Sequence, residues 1–345
     1  MIKNILYFGN KLAGHGINPT TIDLLGVILQ QDFNVVSCSD KLNKCYRLFD
    51  MIKTFFIHRK KVDIILIDTY STSNFWYALI IAKLAQLFKI PYIPILHGGG
   101  LPKRLKKNRR LCKDLFGHSV VNVSPSAYLH KIFRDYGYSN ICIIHNPIDE
   151  RLYVPLRRTE PCCPKLLWVR CFLQQYNPQM AIKVLSLIKK KYPQASLCMV
   201  GGFADDSFSE CKQLAQNLGV EQNVTFTGKL NKKDWIDKSK ECNVFINTTT
   251  VDNAPLSVVE AMALGLPVIS TNVGGMPYLI NNHFNGILVD NNNVEQMAAA
   301  ILNIMGNKDL YDSLSRKSIE SGSRYFSSNV LSAWKDLFDK ISHNE

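Results

Sequence analysis

Strand-like and helix-like segments alternate along this 345-residue chain, and the rhythm starts afresh half-way. The first half offers "NILYFG", "NVVSCS", "VDIILID", "YIPILH", "SVVNVS" and "NICIIHN" as strands, with helical patterns at Thr20–Gln31 and Phe75–Phe88 between them. Near-continuous apolar strands separated by helices call for a parallel sheet covered on both faces. The second half restarts with "KLLWVR", a helix in "PQMAIKVLSLIKKKYP", then "ASLCMVGG", "NVTFTG" and "NVFINTT". Late helices are read in "NVEQMAAAILNIM" and "VLSAWKDLFDKI". Between the halves, "NPIDERLYVPLRRTEPCCPK" is proline-rich without sustained periodicity, which puts a boundary near Pro155–Pro164. The expected class is α/β, with two Rossmann-like domains facing an interdomain cleft. The domains are 1–155 and 156–325, and a helix in 326–345 packs back toward the first. Open parallel sheets bind ligands at their carboxyl edges.

Bulk properties narrow the class further. Hydrophobic residues make up 46% and charged residues 20%, the balance of an ordinary globular protein. The ten cysteines show neither C-x-x-C nor Cys/His metal spacing, so a reducing, cytoplasmic setting is expected. "MIKNILYFGN" breaks at Gly9 after a short apolar run, unlike a signal peptide. The longest apolar run, Phe75–Phe88, is interrupted by Lys83 and Gln86 and is shorter than the about 20 residues a spanning helix needs. Residues 1–155 hold 21 Lys/Arg against 10 Asp/Glu, so nearly all of the +13 net charge lies there. Its densest part, "KRLKKNRR" (Lys103–Arg110), suits nucleic acid, a membrane surface or an anionic acceptor.

"DNAPLSVVEAMALGLPVISTNVGGMP" (Asp252–Pro277) concentrates the chemistry. Asn253 is a candidate cap for a helix whose first position is Pro255, and Gly265 and Pro267 end it. The first amides of such a helix, around Leu256 and Ser257, form an anion site favoured by the dipole. Glu260 lies one turn in and leans back toward the amino end. It is placed to accept hydrogen bonds from two vicinal hydroxyls beside a phosphate, the layout of a ribose joined to a diphosphate. Asp252 is placed for a second polyol, and Gly274-Gly275 for close approach of backbone to ligand. Read alone, two acids and a glycine turn fit solvated surface charges and a simple chain reversal better than a ligand site.

These residues resemble glycosyltransferase family 4, retaining nucleotide-sugar-dependent enzymes of the GT-B fold. That family carries Glu-x7-Glu followed by AMA-x-G-x-PV and a later GG. Here the order is Asp252-x7-Glu260, Ala261-Met262-Ala263, Gly265, Pro267-Val268 and Gly274-Gly275. "IIHNPIDERLYVP" resembles the family's interdomain strand and linker, with Pro147 in place of glycine. "LLWVR", "LCMVGG" and "NVTFTGKL" resemble successive donor-domain strands. The likeness runs from about residue 90 to the end and is weak before it.

The resemblance implies sugar transfer from a nucleoside-diphosphate sugar to a glycan or lipid-linked acceptor, with retention, in surface polysaccharide or glycoconjugate synthesis. Glu260 would hold the donor ribose, and Asp252 the transferred sugar. The Asn253, Ala254, Pro255, Leu256 and Ser257 backbone would lie on the diphosphate and sugar. Arg170 would clamp the diphosphate, for which its planar fork is suited. His97 would lie by the transferred sugar, with Gly98 and Gly99 allowing close approach. Gly14 and Gly16 would face the acceptor. No metal and no other cofactor is expected, and no nucleic acid. Lys103–Arg110 would meet the anionic inner leaflet of a membrane. Two departures stand out. The family's lysine falls on Gln175, with Lys229 beside Gly228 the candidate replacement on the donor side. Asp252 is one methylene shorter than the family's glutamate. They keep open a GT-B-like epimerase or hydrolase, and a nucleotide-sugar-binding protein of weakened activity. A nicotinamide dehydrogenase is disfavoured, because neither half opens with strand, G-x-G-x-x-G and helix.

Overall fold

The structure, a computed structural model, describes residues 2–17, 19–156 and 162–343. The chain forms two compact units, Met1–Ile148 with Tyr325–Glu345, and Asp149–Arg324. The linker read at Pro155–Pro164 lies partly outside the described residues, which omit 157–161. The division falls ahead of the 155/156 boundary. Asp149–Val154 goes with the second unit, where Tyr153 is buried and bonded to Glu260.

The first unit runs β1 (Asn4–Phe8), α1 (Thr21–Leu29), β2 (Asn34–Cys38), α2 (Lys44–His58), β3 (Ile64–Thr69) and α3 (Asn74–Leu87). It continues through β4 (Tyr92–Leu96), α4 (Leu101–Lys107), α5 (Arg109–Cys112), β5 (Asn122–Ser124), α6 (Ala127–Asp135) and β6 (Ile141–Ile143). The six strands are parallel in the order β2-β1-β3-β4-β5-β6. Alternate residues serve opposite faces, as a pleated strand requires. Ile5, Tyr7, Ile64 and Leu66 meet one core, and Leu6, Phe8, Ile65 and Ile67 the other. Both cores are apolar, which is why these strands read as unbroken hydrophobic runs. α2, α3, α4 and α6 supply one covering layer, through Phe55, Phe75, Leu105 and Phe133.

The second layer joins distant parts of the sequence. α1 contributes Ile22 and Leu25, and the C-terminal helix Ser327–His343 contributes Val330, Trp334 and Phe338. Its return is fixed by Ile148 N donating to Tyr325 O (2.8 Å) and Ser327 N donating to Ile148 O (3.0 Å). Phe338 packs edge-on to Phe33 at 5.2 Å between ring centroids.

The second unit runs β7 (Lys165–Val169), α7 (Pro178–Lys189), β8 (Ser196–Val200), α8 (Ser207–Asn217), β9 (Val224–Gly228), α9 (Lys232–Ser239) and β10 (Val244–Asn247). Then follow α10 (Leu256–Ala263), β11 (Val268–Thr271), α11 (Met276–Leu279), β12 (Ile287–Val289), α12 (Val294–Gly306) and α13 (Lys308–Ser323). Its sheet is also parallel, in the order β12-β11-β10-β7-β8-β9. Succession leaves β7 in one direction through β8 and β9, then resumes on the other side with β10. The reversal opens a crevice at the carboxyl ends of β7 and β10, where such sheets bind ligands. α13 seats α10 closely, because Gly322 is bare where a Cβ would lie 2.5 Å from Ala263 N.

Trp334 is fully buried, so Trp334→Ala is expected to cost about 3–5 kcal/mol. Urea unfolding should show a lowered midpoint. An unchanged midpoint would mean that the C-terminal helix is dispensable to the first unit.

Candidate functional site

Arg170 leaves β7 and Asp252 lies in the loop after β10, so the strand reversal brings two residues 82 positions apart together. Arg170 Nη2 donates to Asp252 Oδ2. The guanidinium also lies over the Tyr176 ring, 4.6 Å from its centroid. Its main chain is pinned by Arg170 N donating to Val200 O at 3.0 Å. Gly201 is required there, since a Cβ would fall 1.6 Å from Arg170 O. The Arg170 Nε is buried and has no hydrogen-bond partner.

Asp252 Oδ1 accepts from Asn253 N at 2.8 Å, which ties the carboxylate to the approach of α10. The Asn253 cap expected from sequence is not formed. Pro255 takes the cap position with extended backbone (φ −68°, ψ 120°) and makes no side-chain cap bond, and Leu256 is the first helical residue. The reason is that the loop is held from elsewhere: Gly275 N donates to Asp252 O at 2.9 Å. The glycine pair is correspondingly used against the protein's own chain. A Cβ on Gly274 would lie 2.1 Å from Asp252 O, and one on Gly275 1.6 Å from Asn253 O. The space read as room for a ligand is filled by the Asp252–Asn253 backbone. Leu256 and Ser257 open the helix with amides that have no intrahelical acceptor. Ser257 Oγ is buried without a partner, Leu256 is exposed, Pro255 is buried and Ala254 half-buried.

Glu260 stands one turn into α10 and is only 4% exposed. Its Oε1 accepts from Tyr153 Oη at 2.7 Å and from Lys232 Nζ. Burial, then the adjoining Glu260 charge, push the Tyr153 phenol well above its ordinary pKa, so it remains a donor. Lys232 also lies over the Trp235 ring at 5.6 Å.

Neither Tyr153 nor Lys232 was read from the sequence as a site residue. Lys232 had a local signal. Asn231 caps α9 by accepting from Asp234 N at 2.9 Å, so Lys232 opens the helix that follows β9. Tyr153 lies in the stretch "IIHNPIDERLYVP" that resembles the family's linker, but nothing local tied it to a carboxylate 107 positions away. Gly228 ends the edge strand β9, with φ +70°, and its carbonyl accepts from Gly201 N at 2.9 Å. Lys229, the candidate replacement for the lysine missing at Gln175, is exposed, and Lys232 is the cation that reaches Glu260. Gln175 has an exposed side chain. Its carbonyl accepts from Thr250 N and Thr250 Oγ1, each at 2.9 Å.

In the first unit His97 follows β4 and is buried. Its Nε2 lies 2.8 Å from Asp68 Oδ1, and its ring stacks on Tyr70 at 4.7 Å. Asp68 is the penultimate residue of β3 and also accepts from Tyr7 Oη at 2.8 Å. Its Oδ2 is buried without a partner. Asp68 and Tyr7 were not read from the sequence, although a carboxylate closing the apolar run "VDIILID" was a visible signal. Burial and Asp68 raise the Tyr7 phenol far above its ordinary pKa, so it too stays protonated. Gly98 (φ +79°) and Gly99 have open space where a side chain would stand. Gly14 has the same freedom, and Gly16, at φ +74°, closes the short turn Ala13–His15.

A known family matches the unit that holds Arg170, Asp252 and Glu260. Residues 163–321 match the family described as Glycosyl transferases group 1. An uncharacterized glycosyltransferase of Haemophilus influenzae is 30% identical over 157 residues, 45% of this chain and 43% of that protein. A D-inositol 3-phosphate glycosyltransferase of Corynebacterium kroppenstedtii is 24% identical over 168 residues, 47% of this chain and 37% of its own. The chain thus spans less than half the length of either relative. Among solved structures, Anabaena Alr3699/HepE in complex with UDP and glucose superposes with a TM-score of 0.75 at 16% identity. The superposition covers 98% of this chain and 100% of that one. The fold is GT-B, built from two Rossmann-like α/β domains.

Gly275→Ala is expected to destabilise by about 1–3 kcal/mol, the ordinary cost of forcing a methyl into filled space. Gly99→Ala, which meets nothing within 4 Å, should stay within about 0.5 kcal/mol of the parent. Thermal unfolding of both distinguishes them. Equal midpoints would contradict the packing of Gly275 against Asn253.

Proposed function

We propose that the chain is a glycosyltransferase. It moves a sugar from a nucleoside-diphosphate sugar to a hydroxyl of a glycan or lipid-linked acceptor, with retained anomeric configuration. The setting proposed is surface polysaccharide or glycoconjugate synthesis on the cytoplasmic side of a membrane, with Lys103–Arg110 facing the anionic leaflet. The observation that carries this reading is the meeting of Arg170 and Asp252 just ahead of α10, with Glu260 one turn inside it. The match of residues 163–321 to group 1 glycosyl transferases supports it. So does the likeness to a D-inositol 3-phosphate glycosyltransferase, named for an anionic compound.

The chemistry requires a diphosphate to leave an electron-poor anomeric carbon. Arg170 retains an unused Nε–H, and Ser257 an unpartnered hydroxyl. Phosphate oxygens satisfy such donors, and the first amides of α10 with the helix dipole add to them. Preorganised donors of this kind stabilise a leaving anion without metal or other cofactor. Glu260 accepts from the ribose hydroxyls while Tyr153 holds its orientation, and Lys232 yields or shares the carboxylate. Asp252 and the Asn253–Ser257 segment take the transferred sugar and diphosphate, with Gly228 and Lys229 on the donor side. His97, its ring fixed by Asp68, serves the transferred sugar, and Gly14, Gly16, Gly98 and Gly99 the acceptor side. Gln175 has no charge to offer the diphosphate, which favours slower transfer than an additional lysine would give.

Arg170→Ala is expected to lower kcat for sugar transfer by about 100- to 1,000-fold, the range for losing one transition-state donor. Glu260→Ala is expected to raise the donor KM by about 10- to 100-fold, through lost hydrogen bonds to a charged group. Uridine-, guanosine- and adenosine-diphosphate sugars are the donors to assay, with mass detection of products. Wild-type rates in both variants would sink the site assignment. Complete turnover of donor without acceptor would replace transfer by epimerisation or hydrolysis.

A further inference from the structure

α2 presents large apolar side chains to solvent on the face opposite its core contacts. Tyr46, Phe49 and Ile57 are 70%, 68% and 62% exposed, and Phe56 stands beside them at 46%. At these spacings they share one helical face, with Lys53 between them. Inward, the same helix buries Met51 and Phe55 in the core.

α3 lies alongside α2 in the same direction. Tyr77 Oη donates to Lys44 O (3.2 Å) at one end, and Arg59 lies over the Phe88 ring at 4.4 Å at the other. α3 adds Trp76, 48% exposed, and Leu87, 72% exposed, to the same pair of helices. The outcome is a two-helix surface of aromatic and aliphatic groups, uncovered within this unit.

The charges of this region identify what would cover it. Between Lys44 and Lys89 the sequence has three acids, Asp50, Asp63 and Asp68. All three are used inside the unit. Asp50 accepts from Ser39 Oγ at 2.5 Å, Asp63 from Asn4 N at 2.8 Å, and Asp68 from Tyr7 Oη at 2.8 Å. Arg47 is likewise turned inward, onto Lys41 O and Asn10 Oδ1. Lys83 is paired with Asp114. Lys44, Lys53, Lys60, Lys61 and Lys89 have no carboxylate partner among the described residues. The surface therefore offers aromatic rings and lysines with no acid from its own helices.

We propose that the α2–α3 face docks on an anionic lipid bilayer, with Tyr46, Phe49, Ile57 and Trp76 entering the headgroup region and the lysines meeting lipid phosphates. Interfacial helices combine these two features, because lysine stems lie along apolar surface while their heads reach the anions. Aromatic rings also favour the boundary layer. A protein partner fits less well, since the cores of protein interfaces are depleted of lysine. A second copy docked by a two-fold axis would set these lysines against themselves. No helix among the described residues is long and apolar enough to cross a membrane, so the contact proposed is superficial. It is separate from Lys103–Arg110, where Leu101 and Leu105 are buried and only charge faces out. The proposal holds whether or not the chain transfers sugar.

Trp76 provides a built-in probe, because Trp168, Trp235 and Trp334 are all buried. The full chain is mixed with phosphatidylcholine vesicles, with or without phosphatidylglycerol, and followed by flotation and tryptophan emission. Flotation with the anionic vesicles is expected, together with a blue shift that Trp76→Phe abolishes. The triple variant Tyr46→Ser, Phe49→Ser, Ile57→Ser should bind at least tenfold more weakly while its thermal midpoint is unchanged. Lys53→Gln with Lys60→Gln should weaken binding to anionic vesicles and reduce its salt dependence. Wild-type binding in the triple variant would overturn the proposal. So would loss of binding only on neutralising Lys103, Lys106 and Lys107. Sedimentation showing a wild-type dimer that the triple variant dissolves, without vesicle binding, would assign the face to self-association instead.

Discussion

The second unit depends on one close approach of backbone to backbone. Gly275 N donates to Asp252 O at 2.9 Å, and the missing side chain of Gly275 leaves room for Asn253 O. That contact fixes the loop between β10 and α10. It thereby sets where Asp252 meets Arg170 and where α10 begins. Any larger residue must push the loop away, and the ion pair and the helix entrance move with it. A glycine can thus shape a ligand site without touching ligand, by letting two protein segments touch.

Buried charge is the second theme. Glu260 is taken out of water, and that desolvation is offset by a phenol and an ammonium on the same oxygen. A buried ion pair is weak evidence for stability, since apolar packing often does as well. Asp68 in the first unit follows the same logic, using Tyr7 and His97, yet one of its oxygens remains unsatisfied. Each carboxylate sits at or just beyond the carboxyl edge of its own sheet, where the parallel topology leaves space for ligands.

The first unit sorts its charge by direction. Its acids in the α2–α3 region point inward to cap, brace or bond, whereas most of its lysines point outward. A net charge carried this way acts on the surroundings more than on the fold. The exposed rings of α2 belong to the same arrangement. They also explain why that helix was not read from the sequence: apolar groups on both faces blur the one-sided pattern that marks a surface helix.

The sequence by itself determined the two parallel sheets, because strands buried on both faces have to be apolar throughout and the helices between them keep their period. It also pointed to Asp252 and Glu260, since the spacing around a short helix is local information, while Arg170 came from the family resemblance. The tertiary structure decided which groups those residues touch. Arg170 reaches Asp252 across 82 positions because strand order reverses between β7 and β10, and Tyr153 reaches Glu260 across 107 because the Asp149–Val154 segment packs with the second unit. It decided that Pro255 rather than Asn253 occupies the cap, and that the glycine pair receives backbone. It also decided that Lys232 meets the Glu260 carboxylate. Local spacing encodes periodicity and turns. Partners brought together by sheet order and close packing lie far apart in the chain, and no local pattern carries them.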